Sequence, residues 1–268
     1  MPTHKIEEFF DYRSQLLNKS STLSEIKHLA DLKGLYYPLS QQNMGSRILQ
    51  KLLKKASFQE IKEMCEELKP EFPKMILDSY GNYVIQKIFS CSPSHFRSTL
   101  LGWLEKDLMK LLMTKTGTHT LQAIVQLLDV GSRQKVYELI YGQEAILCNN
   151  EFGTHFMQKM VELEVNYDFF GRILSYFQAI ACNKYGIVVL KAIIKKTTTD
   201  YNIKCCMLEY AQANFSSIYA DEFGHYIIEE IFKYYNEYEL QVMLEYIAAY
   251  VVVISQNVFS SNIIKKGL

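Results

Sequence analysis

Asn82, Tyr83 and Gln86 stand close together in the stretch DSYGNYVIQKIF, which runs from residue 78 to residue 89. Each amide can both donate and accept hydrogen bonds, and the tyrosine ring offers a flat apolar face. Residues four apart on a helix are neighbours on its surface, so Asn82 and Gln86 would lie side by side. Two amides beside a ring suit a flat ligand with a polar edge.

The same stretch recurs along the chain at a nearly constant spacing. A glycine marks each copy, and a serine replaces it in the last one: Gly45, Gly81, Gly117, Gly153, Gly186, Gly224 and Ser260. These positions lie 36, 36, 36, 33, 38 and 36 residues apart. Such regular spacing is typical of a solenoid, in which each unit packs only on its neighbours.

Three positions in each copy are not needed for packing. They are the first, second and fifth residues after the glycine, and we expect all three to point away from the core. From the first copy to the seventh they are Ser46, Arg47, Gln50; Asn82, Tyr83, Gln86; Thr118, His119, Gln122; Thr154, His155, Gln158; Ile187, Val188, Lys191; His225, Tyr226, Glu229; and Ser261, Asn262, Lys265.

The residue types at these positions differ from those of an ordinary solvated face, which would be rich in Glu and Lys. The second position holds a planar side chain in six of the seven copies, and the fifth is Gln in the first four. Arg guanidinium groups and aromatic rings are the side chains that proteins place between unstacked bases. One copy alone would be read as solvated surface, whereas seven copies predict a nucleic-acid ligand.

The elements that position these residues are predicted to be helices. A helix-capping residue stands three positions before every glycine-equivalent except the first, where it is Gln42. The third, fourth, seventh and eighth residues after the glycine are nearly all apolar, which is one face of a helix. More helical patterns and no sustained strand alternation lie between the copies. The sequence predicts an all-α solenoid with helices near 43–55, 79–90, 115–127, 151–162, 184–196, 222–234 and 258–268.

The charge distribution also points to a polyanionic partner. Lys and Arg together number 29, as do Asp and Glu. The residues that begin at each glycine-equivalent, eleven in each copy and the final nine of the chain, nevertheless carry a net charge of +9, so the rest carries −9. A basic stripe of this kind is the electrostatic footprint of a protein that binds phosphate backbones.

Several function classes are disfavoured by the sequence. It has no Walker A loop, no dinucleotide-binding glycine motif and no HExxH, so we expect no enzyme and no cofactor. The six cysteines form no CxxC pair, and we expect no metal site. The longest apolar run, from Ile247 to Ile254, is too short to cross a membrane, and the N-terminus lacks the pattern of a secretory signal. We therefore expect an intracellular protein without a membrane partner.

These repeats resemble the Pumilio-type, or PUF, family of RNA-binding repeat proteins over about residues 30–268. The motifs GSRILQ and GNYVIQ, each followed by a lysine, are similar to the family's reading helices. The resemblance implies a right-handed crescent-shaped solenoid of about seven repeats, with helices in residues 1–29 as its N-terminal cap. It also implies a monomer that binds single-stranded messenger RNA, one base per repeat, with the RNA antiparallel to the protein. Control of translation or decay in the cytoplasm would follow, through protein co-regulators on the convex face.

The resemblance also implies a base for most repeats. Asn82 and Gln86 suit uracil, and Ser46 and Gln50 resemble the adenine reader. Thr118 with Gln122, and Thr154 with Gln158, are similar to that adenine reader with an extra methyl group. Glu229 can only accept hydrogen bonds and suits guanine, while Ile187, Val188 and Lys191 leave a gap. The expected RNA is 5′-G-N-A-A-U-A-3′.

Two other interpretations stay open at this point. The last two copies, His-Tyr-Glu and Ser-Asn-Lys, depart from the triplets with which typical members read a 5′ UGU. A nucleolar relative of the family that binds structured RNA or DNA with little base preference would tolerate such changes. A HEAT- or armadillo-like scaffold for a peptide would share the solenoid core, but it would not require planar residues at a fixed position.

Overall fold

The computed structural model of the chain describes residues 27–163, 165–261, 263 and 264. Within those residues the secondary structure is helical and contains no strand, so the predicted all-α class is confirmed. The chain divides into two compact units, Met1–Trp103 and Leu104–Leu268. Of the predicted N-terminal cap, only residues 27–29 lie within the described residues, and the cap stays a prediction.

The first unit repeats one order of helices twice. A short helix comes first, then a helix that carries the repeated glycine at or near its start, here called the glycine helix, and then a third helix. Tight 3-10 turns at Leu29–Leu32 and Lys69–Glu71 precede the two short helices. The helices are α1 (Tyr36–Ser40), α2 (Asn43–Leu53), α3 (Phe58–Leu68), α4 (Phe72–Leu77), α5 (Gly81–Cys91) and α6 (Ser94–Gly102).

The second unit continues the same order four more times and then begins a seventh copy. Its helices are α7 (Leu108–Leu112), α8 (Lys115–Leu127), α9 (Val130–Leu139), α10 (Glu144–Cys148), α11 (Gly153–Leu163), α12 (Tyr167–Leu174), α13 (Phe177–Ala181), α14 (Gly186–Lys196), α15 (Tyr201–Ala213), α16 (Phe215–Ile218), α17 (His225–Tyr234), α18 (Glu237–Ala249) and α19 (Val251–Gln256). The seventh glycine helix is described only at 261, 263 and 264.

Every glycine helix after the first begins at a side chain that accepts hydrogen bonds from its free N–H groups. In repeat two, Asp78 Oδ1 accepts hydrogen bonds from the N–H groups of Tyr80 and Gly81 at 2.9 and 2.7 Å. The same role is filled in the later repeats by Thr114, Asn150, Asn183, Asp221 and Asn257. Gln42 makes no such bond. The local capping rule therefore explains the start of every glycine helix except the first.

The repeated glycine is required because two backbone segments meet there. A Cβ atom built on Gly117 would lie 2.2 Å from the carbonyl oxygen of Leu111, and each of the other five glycines faces the backbone of the residue six positions earlier in the same way. Ser260, which replaces the glycine in the seventh copy, is buried, and its Oγ donates to the carbonyl oxygen of Ile254 at 2.8 Å. In the other copies the equivalent carbonyl lies against the glycine, where a side chain would collide with it. In the seventh copy the serine hydroxyl bonds to it instead.

The apolar positions form the core of each unit. Val84, Ile85, Ile88 and Phe89 of α5 are fully buried. In the first unit α5 packs on α2, and in the second unit the neighbouring pairs are α8 with α11, α11 with α14, and α14 with α17. Because consecutive glycine helices lie side by side within a unit, the same positions of successive repeats are brought next to one another.

Candidate nucleic-acid interface

The second position after the glycine is exposed in each of the six repeats for which it is described. Tyr83 is 48% exposed, Tyr226 is 43% exposed and Val188 is 36% exposed. Arg47, His119 and His155 are also exposed. Five planar side chains and one valine therefore stand at the surface in equivalent places.

The first position behaves differently, and the expectation that it would be exposed is wrong. The side chains concerned are buried, with at most 6% of their surface exposed: Ser46, Asn82, Thr118, Thr154, Ile187 and His225. Five of them are hydrogen-bonded to the backbone and the sixth, Ile187, is apolar, so the glycine helix and its neighbours can close over them. A buried polar group costs little free energy when it is hydrogen-bonded, and the five polar members of this set are all hydrogen-bonded.

The hydroxyl groups of this set all donate hydrogen bonds to backbone carbonyl oxygens. Ser46 Oγ donates to the carbonyl oxygen of Asn43 at 3.0 Å, and Thr118 Oγ1 donates to that of Leu112 at 2.7 Å. Thr154 Oγ1 donates to the carbonyl oxygen of Tyr185 at 2.8 Å, which joins repeat four to repeat five. A hydroxyl has one donor and two acceptor positions. Towards a ligand, each of these oxygen atoms can act as an acceptor only.

Repeat two contains an ordered pair of amides. Asn82 Nδ2 donates to the carbonyl oxygen of Asp78 at 2.7 Å, and Asn82 Oδ1 accepts from Gln86 Nε2 at 3.1 Å. Asn82 is thereby fixed, and it holds the half-buried Gln86 by one N–H group. Gln86 still has its Oε1 acceptor and a second N–H donor. An adjacent acceptor and donor match the N3–H and the carbonyl oxygens of a uracil edge.

The fifth position is half-buried in repeats one to six, where it has surface for a ligand: Gln50, Gln86, Gln122, Gln158, Lys191 and Glu229. Gln158 Nε2 donates to Glu162 Oε1 at 3.2 Å, so a charged neighbour orients this amide. The fifth position, more than the buried first one, is the polar group that a ligand would meet.

Repeats five and six meet in a contact that the sequence did not predict. Lys191 Nζ lies 4.9 Å from the ring centroid of Tyr226 in the next repeat. The ring of Tyr226 also lies 3.9 Å, centroid to centroid, from that of His225, whose Nδ1 is 2.9 Å from the carbonyl oxygen of Asp221. In the sequence, the feature that could have pointed to this contact is the lysine at the fifth position of repeat five, where the first four repeats have glutamine.

The seventh copy is described in part. Ser261 is half-buried, whereas Asn262 and Lys265 lie outside the described residues. The basic side chains of Lys51, Lys54 and Lys55 in the first unit are exposed, as are Lys195 and Lys196 in the second. Exposed cations that follow the fifth position can contact a phosphate backbone.

The described part of the chain offers neither a metal site nor a membrane span. No group of three or more His, Cys, Asp or Glu side chains there is placed to hold a metal ion. None of the helices there has the length and apolar character that crossing a bilayer requires.

The repeats match a known family model, described as the Pumilio-family RNA binding repeat, at residues 36–69, 72–102, 145–164 and 220–248. The chain contains Pumilio repeats. The family resemblance noted in the sequence is thereby confirmed, and the matching model is that of an RNA-binding repeat, not of an enzyme.

Curated relatives align with most of the Pumilio-repeat chain. It is 26% identical over 269 residues to Suppressor protein MPT5 of Saccharomyces cerevisiae, an alignment that covers 92% of the chain and 30% of that protein. It is 20% identical over 265 residues to Pumilio homolog 12 of Arabidopsis thaliana, which covers 96% of the chain and 44% of that protein. The chain thus spans less than half the length of these relatives.

Solved structures of the family share the fold. The structure of PUF-8 in complex with PBE-RNA matches with a TM-score of 0.76 at 18% identity, over 96% of this chain and 75% of that one. The RNA-binding domain of yeast Puf5p bound to SMX2 RNA matches with a TM-score of 0.78 at 24% identity, over 91% of this chain and 70% of that one. The Pumilio-repeat chain therefore has the fold of a PUF domain.

Proposed function

We propose that this protein binds single-stranded RNA sequence-specifically, with one base at each repeat. The observation that carries the proposal is the recurrence of one arrangement, an exposed planar residue beside a half-buried amide or carboxylate, in repeats one, two, three, four and six. Stacking on such residues contributes about 1–3 kcal/mol per base. A peptide-binding scaffold has no need of this arrangement in every repeat.

The polar atoms at each repeat support particular bases. Gln86, held by Asn82, offers an acceptor and a donor to uracil. In repeats one, three and four the glutamine amide at the fifth position can accept from the amino group of adenine and donate to an adjacent ring nitrogen. Glu229 suits the two donors of guanine, and repeat five offers no comparable pair. The proposed RNA is 5′-G-N-A-A-U-A-3′, antiparallel to the protein.

The biological role is proposed from the family. The target would be the 3′ untranslated region of messenger RNA, and the outcome would be altered translation or decay, in the cytoplasm. The solved relatives include a Puf4 RNA-binding domain bound to an RNA 3′ UTR recognition sequence. Partner proteins and a monomeric state belong to the same proposal.

The decisive experiment compares two RNAs and two proteins at a stated salt concentration. An eight-nucleotide labelled RNA that ends in AAUA is compared with the same RNA in which that U is G. The native protein should prefer the U-containing RNA by about tenfold, since a good bidentate contact discriminates bases by about 1–3 kcal/mol. The double variant Asn82→Ser with Gln86→Glu should prefer G. Serine fits the first position, as Ser46 shows in repeat one.

A matched control changes the charge equally at a distant site. Gln59→Glu lies on α3 in the same unit, where Gln59 Nε2 bonds to Glu63, and it should leave the preference for U unchanged. Equal binding of both RNAs by the native protein would instead indicate a surface that binds RNA or DNA with little base preference. Failure of the native protein to bind either RNA would favour a protein-binding scaffold.

A further inference from the structure

The contact between Lys191 and Tyr226 changes the surface that repeat five presents. Lys191 stands at the fifth position of α14, and Tyr226 stands at the second position of α17, the neighbouring glycine helix. The ammonium group lies 4.9 Å from the centre of the tyrosine ring. At that distance a cation is attracted to the negative face of an aromatic ring.

The ring is constrained by a further neighbour. His225 lies 3.9 Å from Tyr226, centroid to centroid, with the two planes inclined at 38°. His225 itself is buried and bonded to the backbone at Asp221. Tyr226 therefore contacts both a cation from the preceding repeat and the buried imidazole of its own repeat.

Tyr83 provides the contrast. It occupies the same position in α5 and is similarly exposed, at 48% against 43% for Tyr226. Among the described residues, no cation and no second ring lies against it. Its ring is open to a base, whereas the ring of Tyr226 is already in contact with an ammonium group.

If a base does not stack on Tyr226, the other side chains of repeat five cannot hold it by stacking or by hydrogen bonds. In a stack in which rings alternate with bases, the base opposite repeat five would lie between Val188 and Tyr226. Val188 has no flat face, and Ile187 is buried and has no hydrogen-bonding atom. Lys191 has three N–H donors, and an ammonium placed over a ring can still donate to an anion on its outer side.

We propose that Lys191 makes repeat five a place where a nucleotide is held without its base being read. The lysine covers the ring of Tyr226, so the base does not stack there, and its ammonium group binds a phosphate of the RNA backbone. This proposal rests on the proposed function, and it names the chemical group that this repeat recognises: a phosphodiester, whatever base it carries.

The test places 2-aminopurine, whose fluorescence is quenched by stacking, at the N position of 5′-G-N-A-A-U-A-3′. With the native protein the probe should stay bright on binding. With Lys191→Met, which keeps the aliphatic stem and removes the charge, the ring opens and the probe should be quenched. The slope of log affinity against log salt should fall by about one, the value for one lost phosphate contact.

Two controls keep the result specific. Lys110→Met removes an exposed cation from α7, outside the glycine helices of the same unit, and should leave both the fluorescence of the probe and the salt slope unchanged. Lys191→Arg keeps a cation that can lie over the ring, so the probe should stay bright. Urea unfolding of each variant establishes that the repeat remains folded.

Every outcome bears on the proposal. A probe that is quenched by the native protein would show that the base stacks despite Lys191, and the proposal would be overturned while the reading of U at repeat two still stood. An unchanged salt slope in Lys191→Met would overturn the phosphate contact. If the native protein bound no RNA, both this proposal and the proposed function would fail.

Discussion

Repeats two and five have the same frame and different surfaces. Asp78 and Asn183 each accept two backbone hydrogen bonds at the start of α5 and α14. Gly81 and Gly186 each lie against the backbone of the residue six positions earlier. The features that build the glycine helix are therefore alike in the two repeats.

The surfaces differ at three positions. Repeat two has two bonded amides around an open ring, with Gln86 Nε2 at 3.1 Å from Asn82 Oδ1. Repeat five has Ile187, Val188 and Lys191 at these positions. The ammonium group of Lys191 lies over the ring of Tyr226 in the next repeat. The comparison shows that the positions which fold a repeat are separate from those which contact a ligand. A repeat can therefore lose base reading and keep its fold.

The largest expected effect comes from filling the glycine position. A Cβ on Gly186 would lie 2.4 Å from Asn149 Oδ1 and 2.5 Å from the carbonyl oxygen of Ile180, whereas on Gly81 the nearest atom is 3.0 Å away. Gly186→Ala should lower the free energy of unfolding by about 3 kcal/mol and Gly81→Ala by about 1 kcal/mol, since overpacking costs about 1–3 kcal/mol. Urea denaturation measures both.

The control for this prediction is a glycine in open space. A Cβ on Gly171 would meet nothing within 4 Å, and Gly171→Ala should stabilise the protein by up to about 1 kcal/mol because alanine favours helix. Equal losses for Gly81→Ala and Gly186→Ala would show that the frames of the two repeats are not set by this close approach.

A smaller effect, on specificity, is expected from giving repeat five the side chains of repeat two. The triple variant Ile187→Asn, Val188→Tyr and Lys191→Gln should prefer U at the N position by about tenfold, within the range for one bidentate contact. The carbonyl oxygen of Asn183 would receive the new Asn amide, as that of Asp78 does for Asn82.

Binding of four RNAs that differ only at N measures this prediction. The U opposite repeat two should keep its native preference in the same variant, which serves as the internal control. Unchanged tolerance of all four bases at N would mean that the backbone of repeat five, and not its side chains, prevents base reading.

The smallest effect is expected at the caps, where the two repeats should respond alike. Asp78→Ala and Asn183→Ala each remove a side chain that accepts two N–H bonds. Each should lower the free energy of unfolding by about 1 kcal/mol. Gln42→Ala, which removes no capping bond, should change it by less than about 0.5 kcal/mol. A cap loss in one repeat only would contradict the shared frame.

Much of the frame was predictable because it depends on local rules. A capping side chain three residues before a glycine, followed by apolar residues at helical spacing, determines where α5 or α14 begins and which face is buried. The all-α class followed from the same periodicity. The family could be recognised because its motifs are short and local, such as GNYVIQ.

The candidate interface was predictable only in part. The exposed second position was identified, whereas the first position was expected to be exposed and is buried. Helical periodicity places a residue on a face, but it does not show that Thr154 reaches the carbonyl oxygen of Tyr185 in the next repeat. Burial at that position is decided by how closely neighbouring helices approach.

The sequence by itself determined the repeat, the helices, the caps and the set of residues offered to a ligand, because each shows as a short pattern within one helix, and that pattern recurs along the chain. The tertiary structure decided which atoms of that set remain available. In the folded chain the hydroxyl groups of Thr118 and Thr154 donate to backbone carbonyl oxygens, and Asn82 is fixed by its bond to Asp78. Lys191 is brought over the ring of Tyr226. Contacts between repeats join residues more than 30 positions apart in the chain, and they depend on how the helices pack. A local sequence pattern does not predict such packing.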